Sequence, residues 1–255
     1  MFQTTSRVVD KQEVSKNIFK LTLYAPRVAR AAKPGQFVHL QCGENQSYIL
    51  RRPFSVHQVI GADAFDILVR VVGEGTKWLA ARRPKDSINL IGPLGRGYRV
   101  DQELKRAMIV AGGMGVAPLF FLTSKLAEDK VKVYTVMGAA NRNQLLDFMD
   151  LKRLTRKMAV STDDGSQGVK GLVTDILAKE IEEADPEVVF ACGPGEMLKA
   201  VAGIAGRFGV SCQVSLEAYM ACGVGACLGC VVGGKDSYLK VCADGPVFNT
   251  LELGW

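Results

Sequence analysis

The chain has 255 residues, 48% of them hydrophobic and 23% charged, with a net charge of +6. That is the composition of a folded globular protein rather than a disordered one, and the length suits two domains, with or without a small appendage. No apolar run approaches the roughly 18 residues of a membrane helix. The start from Met1 to Lys20 has no apolar signal core, so a cytoplasmic protein without membrane attachment is expected. The basic residues are scattered without interleaved aromatics, which speaks against nucleic acid as a partner. Two histidines, His39 and His57, leave little for a histidine-based triad or metal site.

From residue 1 to about 98 the pattern is strands and turns. Phe19, Leu21 and Leu23 alternate with polar neighbours, and Gln36 to Gln41, Phe65 to Val71 and Ser87 to Ile91 are short runs rich in strand formers. Pro26, Lys33-Pro34-Gly35, Gly61 and Gly92-Pro93-Leu94-Gly95 punctuate them. Several short strands at regular spacing predict a small antiparallel β barrel.

Residues 99–214 read as α/β. Strands are expected at Ala107–Ala111, Val131–Met137, Met158–Ser161, Val188–Ala191 and Ser211–Val214. Between them, helices are expected over Ala117–Asp129, Asn143–Leu154, Val173–Glu183 and Gly195–Phe208. Alternation of this kind, with apolar strands, predicts a parallel sheet covered on both faces. Residues 215–255 show little periodicity and are dominated by glycine and cysteine. A segment so short buries little core by itself, so it is expected to need a metal centre or a partner.

Two glycine turns follow apolar strands. In the first, Gly112, Gly113 and Gly115 precede Pro118, which suits a first helical turn. Such a turn lets a backbone approach a phosphate at the helix start. The third glycine of the usual dinucleotide fingerprint is missing, as is the acidic residue about 20 positions on, so the turn alone reads equally well as a tight connection. The second turn, Cys192-Gly193-Pro194-Gly195, also ends a strand and opens a helix. Both lie where α/β sheets bind ligands. Cys192 stands at that crevice, or is simply a small buried thiol.

Arg52-Pro53-Phe54-Ser55 opens a strand. An arginine can fork onto a pyrophosphate and a nearby hydroxyl can add a hydrogen bond; the plainer reading is a solvated strand end. Four cysteines follow the pattern Cys222-x4-Cys227-x2-Cys230-x11-Cys242. The first three match the C-x4-C-x2-C half of a plant-type [2Fe–2S] site, and the glycines between them let a loop wrap a cluster. Zinc also takes four cysteines, but zinc ribbons carry two short pairs, which this pattern lacks. Structural disulfides are unexpected in the cytoplasm, and Cys42 and Cys212 have no assigned task.

Arg52 with Ser55, followed by the first glycine turn and then Cys192-Gly193-Pro194, resembles the ferredoxin reductase superfamily, with Phe54 where a tyrosine is usual. The resemblance implies that Arg52, Pro53, Phe54 and Ser55 hold FAD, that Leu68, Val69 and Arg70 run beside the flavin, and that Gly75 and Thr76 meet its phosphates. It further implies that Gly112, Gly113, Gly115, Gly193 and Pro194 receive NAD, with Cys192 as a catalytic residue at the nicotinamide. Leu216 to Cys227 and Val241 to Phe248 narrow the resemblance to the electron-transfer subunits of class 1B, NAD-dependent dihydroorotate dehydrogenases. The similarity covers nearly the whole chain. It implies an FAD-binding barrel over 1–98, an NAD-binding α/β domain over 99–214 and a [2Fe–2S] domain over 215–255. It also implies a heterotetramer, two plus two, with an FMN-containing catalytic subunit that oxidises dihydroorotate in pyrimidine biosynthesis.

A nicotinamide gives two electrons together, a cluster accepts one at a time, and a flavin does both. No motif remains for an organic substrate, so the other electron carrier is expected on another polypeptide. Val224, Leu228 and Val231 would then face that partner, or pack within the tail. Arg142, just past the second α/β strand, would meet an adenosine 2′-phosphate or lie solvated; the resemblance implies NAD rather than NADP. Two other readings are a related subunit serving ferredoxin, sulfide or a hydrogenase, and a zinc-bound interaction module.

Overall fold

The computed structural model describes residues 1–43 and 48–255. Its contacts divide the chain into two compact units. One comprises residues 1–97, 217–232 and 238–246; the other comprises 98–216, 233–237 and 247–255. The cysteine-rich tail is thus shared between the two.

The first unit opens with a long strand, β1 (Phe2–Ser15), followed by β2 (Ile18–Tyr24) and a short helix α1 (Pro26–Ala31). Next come β3 (Phe37–Leu40), β4 (Arg52–Ser55), β5 (Gln58–Ile60), β6 (Ala64–Arg70), a short helix α2 (Glu74–Ala80) and β7 (Ser87–Leu94). Seven strands form one sheet in the order β4-β3-β7-β1-β2-β6-β5. Every pairing is antiparallel. The sheet curls far enough for β4 to touch β6 without a ladder between them. This is the expected barrel in half-barrel form.

β1 was not legible from its sequence. Along it only Ser6 and Val8 are buried, and bulges near Asp10 and Ser15 interrupt its register with β2. A mostly exposed strand carries polar side chains on both faces, so no alternation marks it. The sequence likewise shows no periodicity for α1 and α2, which are only 6 and 7 residues long.

The second unit begins with β8 (Arg106–Gly112), α3 (Val116–Glu128), β9 (Lys132–Ala139) and α4 (Phe148–Leu154). It continues with β10 (Lys157–Thr162), β11 (Val169–Lys170), α5 (Val173–Ala184), β12 (Val188–Cys192), α6 (Gly195–Arg207) and β13 (Ser211–Ser215). Beyond these, β14 (Val231–Gly233) pairs with β15 (Tyr238–Lys240), and β16 (Val247–Asn249) returns to the large sheet. That sheet has the order β11-β10-β9-β8-β12-β13-β16, parallel except for β16, which runs antiparallel to β13. β12 is buried along its whole length, and β8 is buried after Arg106, as strands covered on both faces must be.

The helix expected from Asn143 starts only at Phe148. Asn141 Oδ1 accepts the N–H of Asn143 at 3.1 Å and holds residues Arg142–Gln144 in a single 3-10 turn. Asp147 then takes a left-handed conformation, φ 52°, which no helix can run through. Among the described residues no helix is long and apolar enough to cross a membrane.

Candidate functional site

The four cysteines of the tail come together in the first unit as two pairs. Cys222 and Cys227 lie within hydrogen-bonding reach of each other, and so do Cys230 and Cys242. The loop that gathers them is bent by left-handed residues at Gly223 (φ 70°), Gly225 (φ 85°) and Leu228 (φ 59°). At Gly225 a side chain would also press on Ala243, 3.0 Å away. These bends turn backbone N–H groups toward sulfur. Gly225 N donates to Cys242 Sγ at 3.1 Å, while Val224 N, Gly229 N and Cys242 N donate at 3.4 Å to Cys222, Cys227 and Cys230 in turn.

The sulfurs differ in electrostatics. Burial opposes ionisation of Cys222, but the N–H groups of Val224, Cys227 and Ala226 and the Cys227 thiol overcome it and bring the thiol down to about 6. Cys242 is pushed up to about 12, chiefly by burial and then by its Cys230 neighbour. A thiolate is the metal-binding form, so the loop is readied at one end and needs the metal's own charge at the other. Among the described residues no three His, Cys, Asp or Glu side chains gather closely enough for one ion. Two pairs of thiols fit two irons, each taking two thiolates, better than one tetrahedral zinc.

The same unit holds the Arg52 strand. β4 lies against β3, with Arg52 opposite Leu40, Pro53 opposite His39 and Phe54 opposite Val38. β4, which carries Pro53, Phe54 and Ser55, also touches β6, which carries Leu68, Val69 and Arg70; Leu68 and Val69 are buried and Arg70 is exposed. The two adjacent arginines do different things. Arg51 is bound into the sheet through Asn89, Nη2 to Oδ1 at 2.5 Å and Nη1 to the carbonyl at 3.2 Å. Arg52 donates to the carbonyls of Leu50 (2.8 Å) and Arg51 (3.2 Å), and among the described residues no carboxylate pairs with it.

Across from Arg52 lies the start of α2. A Cβ on Gly75 would stand 3.8 Å from Arg52 Nε and 3.3 Å from Cys42 Cβ. Thr76 is turned inward: its hydroxyl accepts the N–H groups of Val72 (2.9 Å) and Gly73 (3.1 Å) and donates to the Gly73 carbonyl (2.9 Å). An arginine facing a glycine at a helix start, with no carboxylate partner among the described residues, suits a pyrophosphate. Here Gly75 offers close backbone approach, while the Thr76 hydroxyl is spent on shaping the turn.

The sequence assigns no role to two residues beside this site. Cys42 is fully buried, and burial raises its thiol to about 11 against the opposing pull of Arg52 and Arg51. His39 is also fully buried. Burial lowers its pKa, while the backbone of Arg51 and of Cys222 acts to raise it. The only available cue was that a histidine interrupts the apolar run Phe37-Val38-His39-Leu40.

In the second unit the two glycine turns meet. β8 and β12 are neighbours, and both turns sit at their carboxyl ends, where the chain order of the sheet reverses. The turns interlock backbone to backbone. A Cβ on Gly115 would stand 2.0 Å from the Cys192 carbonyl oxygen and 2.8 Å from Gly193 N. One on Gly112 would meet Met197 Sδ at 2.5 Å and Pro194 Cδ at 3.1 Å, and one on Gly193 would stand 3.2 Å from Gly112 Cα. Gly113 is different: its φ is 54° and a Cβ there would meet nothing within 4 Å, so this part of the turn faces open space. Cys192 is 1% exposed at the end of β12. Arg142 follows β9, its N–H bonded to Ser166 Oγ at 2.8 Å.

Three family models match the chain: an oxidoreductase FAD-binding domain over residues 5–98, an oxidoreductase NAD-binding domain over 109–203, and the iron–sulfur cluster binding domain of dihydroorotate dehydrogenase B over 217–254. A dihydroorotate dehydrogenase B (NAD(+)) electron transfer subunit from Desulforamulus reducens is 37% identical, over 98% of this chain and 97% of its own. One of the same name from Geobacillus thermodenitrificans is 38% identical over 96% of each.

The chain belongs to the family of dihydroorotate dehydrogenase B electron transfer subunits.

The three matches follow one another along the chain in the order FAD-binding, NAD-binding and iron–sulfur. Among solved structures, an NADH-dependent reduced ferredoxin–NADP oxidoreductase superposes with a TM-score of 0.88 at 30% identity, over 98% of this chain and 90% of that one. A ferredoxin NADP+ reductase from Neisseria gonorrhoeae, solved with FAD and NADP, gives 0.69 at 18% identity over 81% of this chain and 92% of that one, and shares the fold. The paired thiols, Arg52 beside Gly75 and the open turn at Gly113 are compatible with the three groups these domains bind.

Proposed function

We propose that this chain carries electrons between the FMN of a dihydroorotate-oxidising partner subunit and NAD+, by way of a [2Fe–2S] cluster and FAD, in pyrimidine biosynthesis. FAD, when bound, exchanges two electrons with a nicotinamide and single electrons with a cluster. Arg52 would hold the FAD pyrophosphate, and the backbone at Gly75 and Thr76 would meet its phosphates. Pro53, Phe54, Ser55, Leu68, Val69 and Arg70 line the flavin, with Phe54 offering a ring face where no phenol hydroxyl is available. Gly112, Gly113, Gly115, Gly193 and Pro194 receive NAD, and Cys192 stands at the nicotinamide as the catalytic residue. Cys222, Cys227, Cys230 and Cys242 hold the irons.

The single observation that carries this reading is the pairing of four thiols, each meeting a backbone N–H, in the same compact unit as Arg52 and Gly75. One-electron and two-electron carriers then share one body. Val224 and Leu228, on the cluster loop, are 43% and 63% exposed, and such side chains suit a partner's surface. The assembly is a cytoplasmic heterotetramer, two copies of each chain, with FMN on the partner. A second reading, an electron-transfer subunit serving ferredoxin and NADP, draws support from the 30% identical solved structure.

The test is anaerobic co-expression with the dihydroorotate-oxidising chain. Co-purification, one FAD and two irons with two sulfides per copy of this chain, and dihydroorotate-dependent reduction of NAD+ are expected. A colourless chain with neither flavin nor sulfide would end the redox reading. A loaded chain that ignores that partner and reduces ferredoxin would favour the second.

A further inference from the structure

His39 lies at the centre of β3, paired with Pro53 on β4 and Ile91 on β7. Its neighbours Phe37, Val38 and Leu40 are buried apolar residues, and it is buried as completely as they are. Neither ring nitrogen closes a hydrogen bond of good geometry, which is rare for a polar group at this depth. The backbone of Arg51 and of Cys222 nevertheless acts on the ring, raising its pKa against the burial that lowers it. Arg51 immediately precedes the proposed flavin ligand Arg52, and Cys222 is the first cluster cysteine. The ring also shapes the loop from the other side. A Cβ on Gly223 would stand 2.5 Å from His39 Nδ1, and Gly223 has φ 70°, so only glycine lets the cluster loop come down onto this imidazole.

We propose that His39 is a positioning residue for the cluster, its imidazole set against the cluster loop at Gly223 with an N–H for the backbone of Cys222, so that the first cysteine is fixed relative to the strand carrying Arg52. A leucine would fill the space but could not hold a carbonyl. An imidazole offers an N–H on a rigid plane, and outer-shell donors of this kind orient the ligands that touch the metal. Cys222 and its neighbours Ala221, Gly223 and Val224 belong to no helix or strand, so regular structure does not hold this ligand in place. The inference rests on the cluster assignment above.

The test compares His39→Leu and His39→Gln with wild type in the co-purified holo complex. The readouts are FAD and iron content, the g-values of the reduced cluster, its midpoint potential, and the rate of iron loss to a chelator. His39→Leu is expected to keep FAD, to alter the g-values, to lose iron roughly tenfold faster, and to shift the one-electron equilibrium by about tenfold, ~59 mV. His39→Gln keeps a donor and is expected to restore most of the wild-type signature. If the leucine variant does not accumulate, His39→Met is read in its place. A donor-free variant with full iron, unchanged g-values and unchanged potential would overturn the proposal. So would parallel loss of FAD and iron in both donor-free variants, which marks a general core role. Wild type lacking flavin and iron would instead sink the functional reading itself.

Discussion

Gly75 faces Arg52: a Cβ on the glycine would come to 3.8 Å from the guanidinium Nε and 3.3 Å from Cys42 Cβ. Arg51, one residue away, is instead bonded into the sheet through Asn89. The division of labour between two adjacent arginines predicts different losses. Arg52→Ala is expected to release FAD, with Kd rising at least about tenfold, since a hydrogen bond to a charged group contributes about 1.5–3 kcal/mol. Arg51→Ala is expected to lower thermal stability first. Flavin retained through gel filtration at wild-type occupancy in the Arg52 variant would contradict the assignment.

Cys227 is the exposed member of the thiol set. Cys227→Ser replaces a thiolate by a hydroxyl that stays protonated, and the cluster is expected to be lost. NADH should still bleach the FAD, because Arg52 and the glycine turns are untouched, while electron delivery to an outside acceptor falls to background. Stopped-flow absorbance with and without acceptor separates the two. Flavin that stays oxidised would contradict the proposed order of carriers.

The contact of Gly115 with the Cys192 carbonyl allows no relief by side-chain rotation, because both partners are backbone. Gly115→Ala is therefore expected to force β8 and β12 apart at their carboxyl ends, destabilising the protein by about 1–3 kcal/mol and weakening NAD binding. Cys192→Ala leaves the backbone alone. It is expected to slow the hydride step while NAD affinity stays near wild type. Chemical denaturation and stopped-flow reduction, read side by side, check both. Equal loss of affinity in the two variants would place Cys192 in binding rather than chemistry.

Burial raises two further thiols. Cys42 reaches about 11, with Arg52 and Arg51 offsetting part of the rise, and Cys212 reaches about 12. The thiolate is the nucleophile, and both pKa values lie above neutral pH, so the reactive form is scarce at pH 8 and grows only as pH climbs toward 11. Mass spectrometry after iodoacetamide at pH 8 is expected to find Cys42 and Cys212 unmodified in the native protein and fully modified after denaturation. Labelling of Cys42 at the rate of a free cysteine would show that the cover over it opens.

Much of the protein was legible along the chain because its determinants are local. A C-x4-C-x2-C spacing places three sulfurs on one short loop whatever surrounds it. A glycine turn after an apolar strand announces a helix start, and strands as apolar as Val188–Cys192 announce a sheet covered on both sides. The antiparallel first region and the alternating second followed from those patterns. Long-range relations lay outside their reach. That Cys222 pairs with Cys227 and Cys230 with Cys242, that Gly115 rests on Cys192, that Arg51 is spent on Asn89 while Arg52 faces Gly75, and that β16 joins the sheet beside β13 each depend on residues far apart in sequence or on which way one loop folds. His39 is the clearest instance. In the sequence it is one polar residue in an apolar run, and only the tertiary structure sets Gly223 of the cluster loop against its ring.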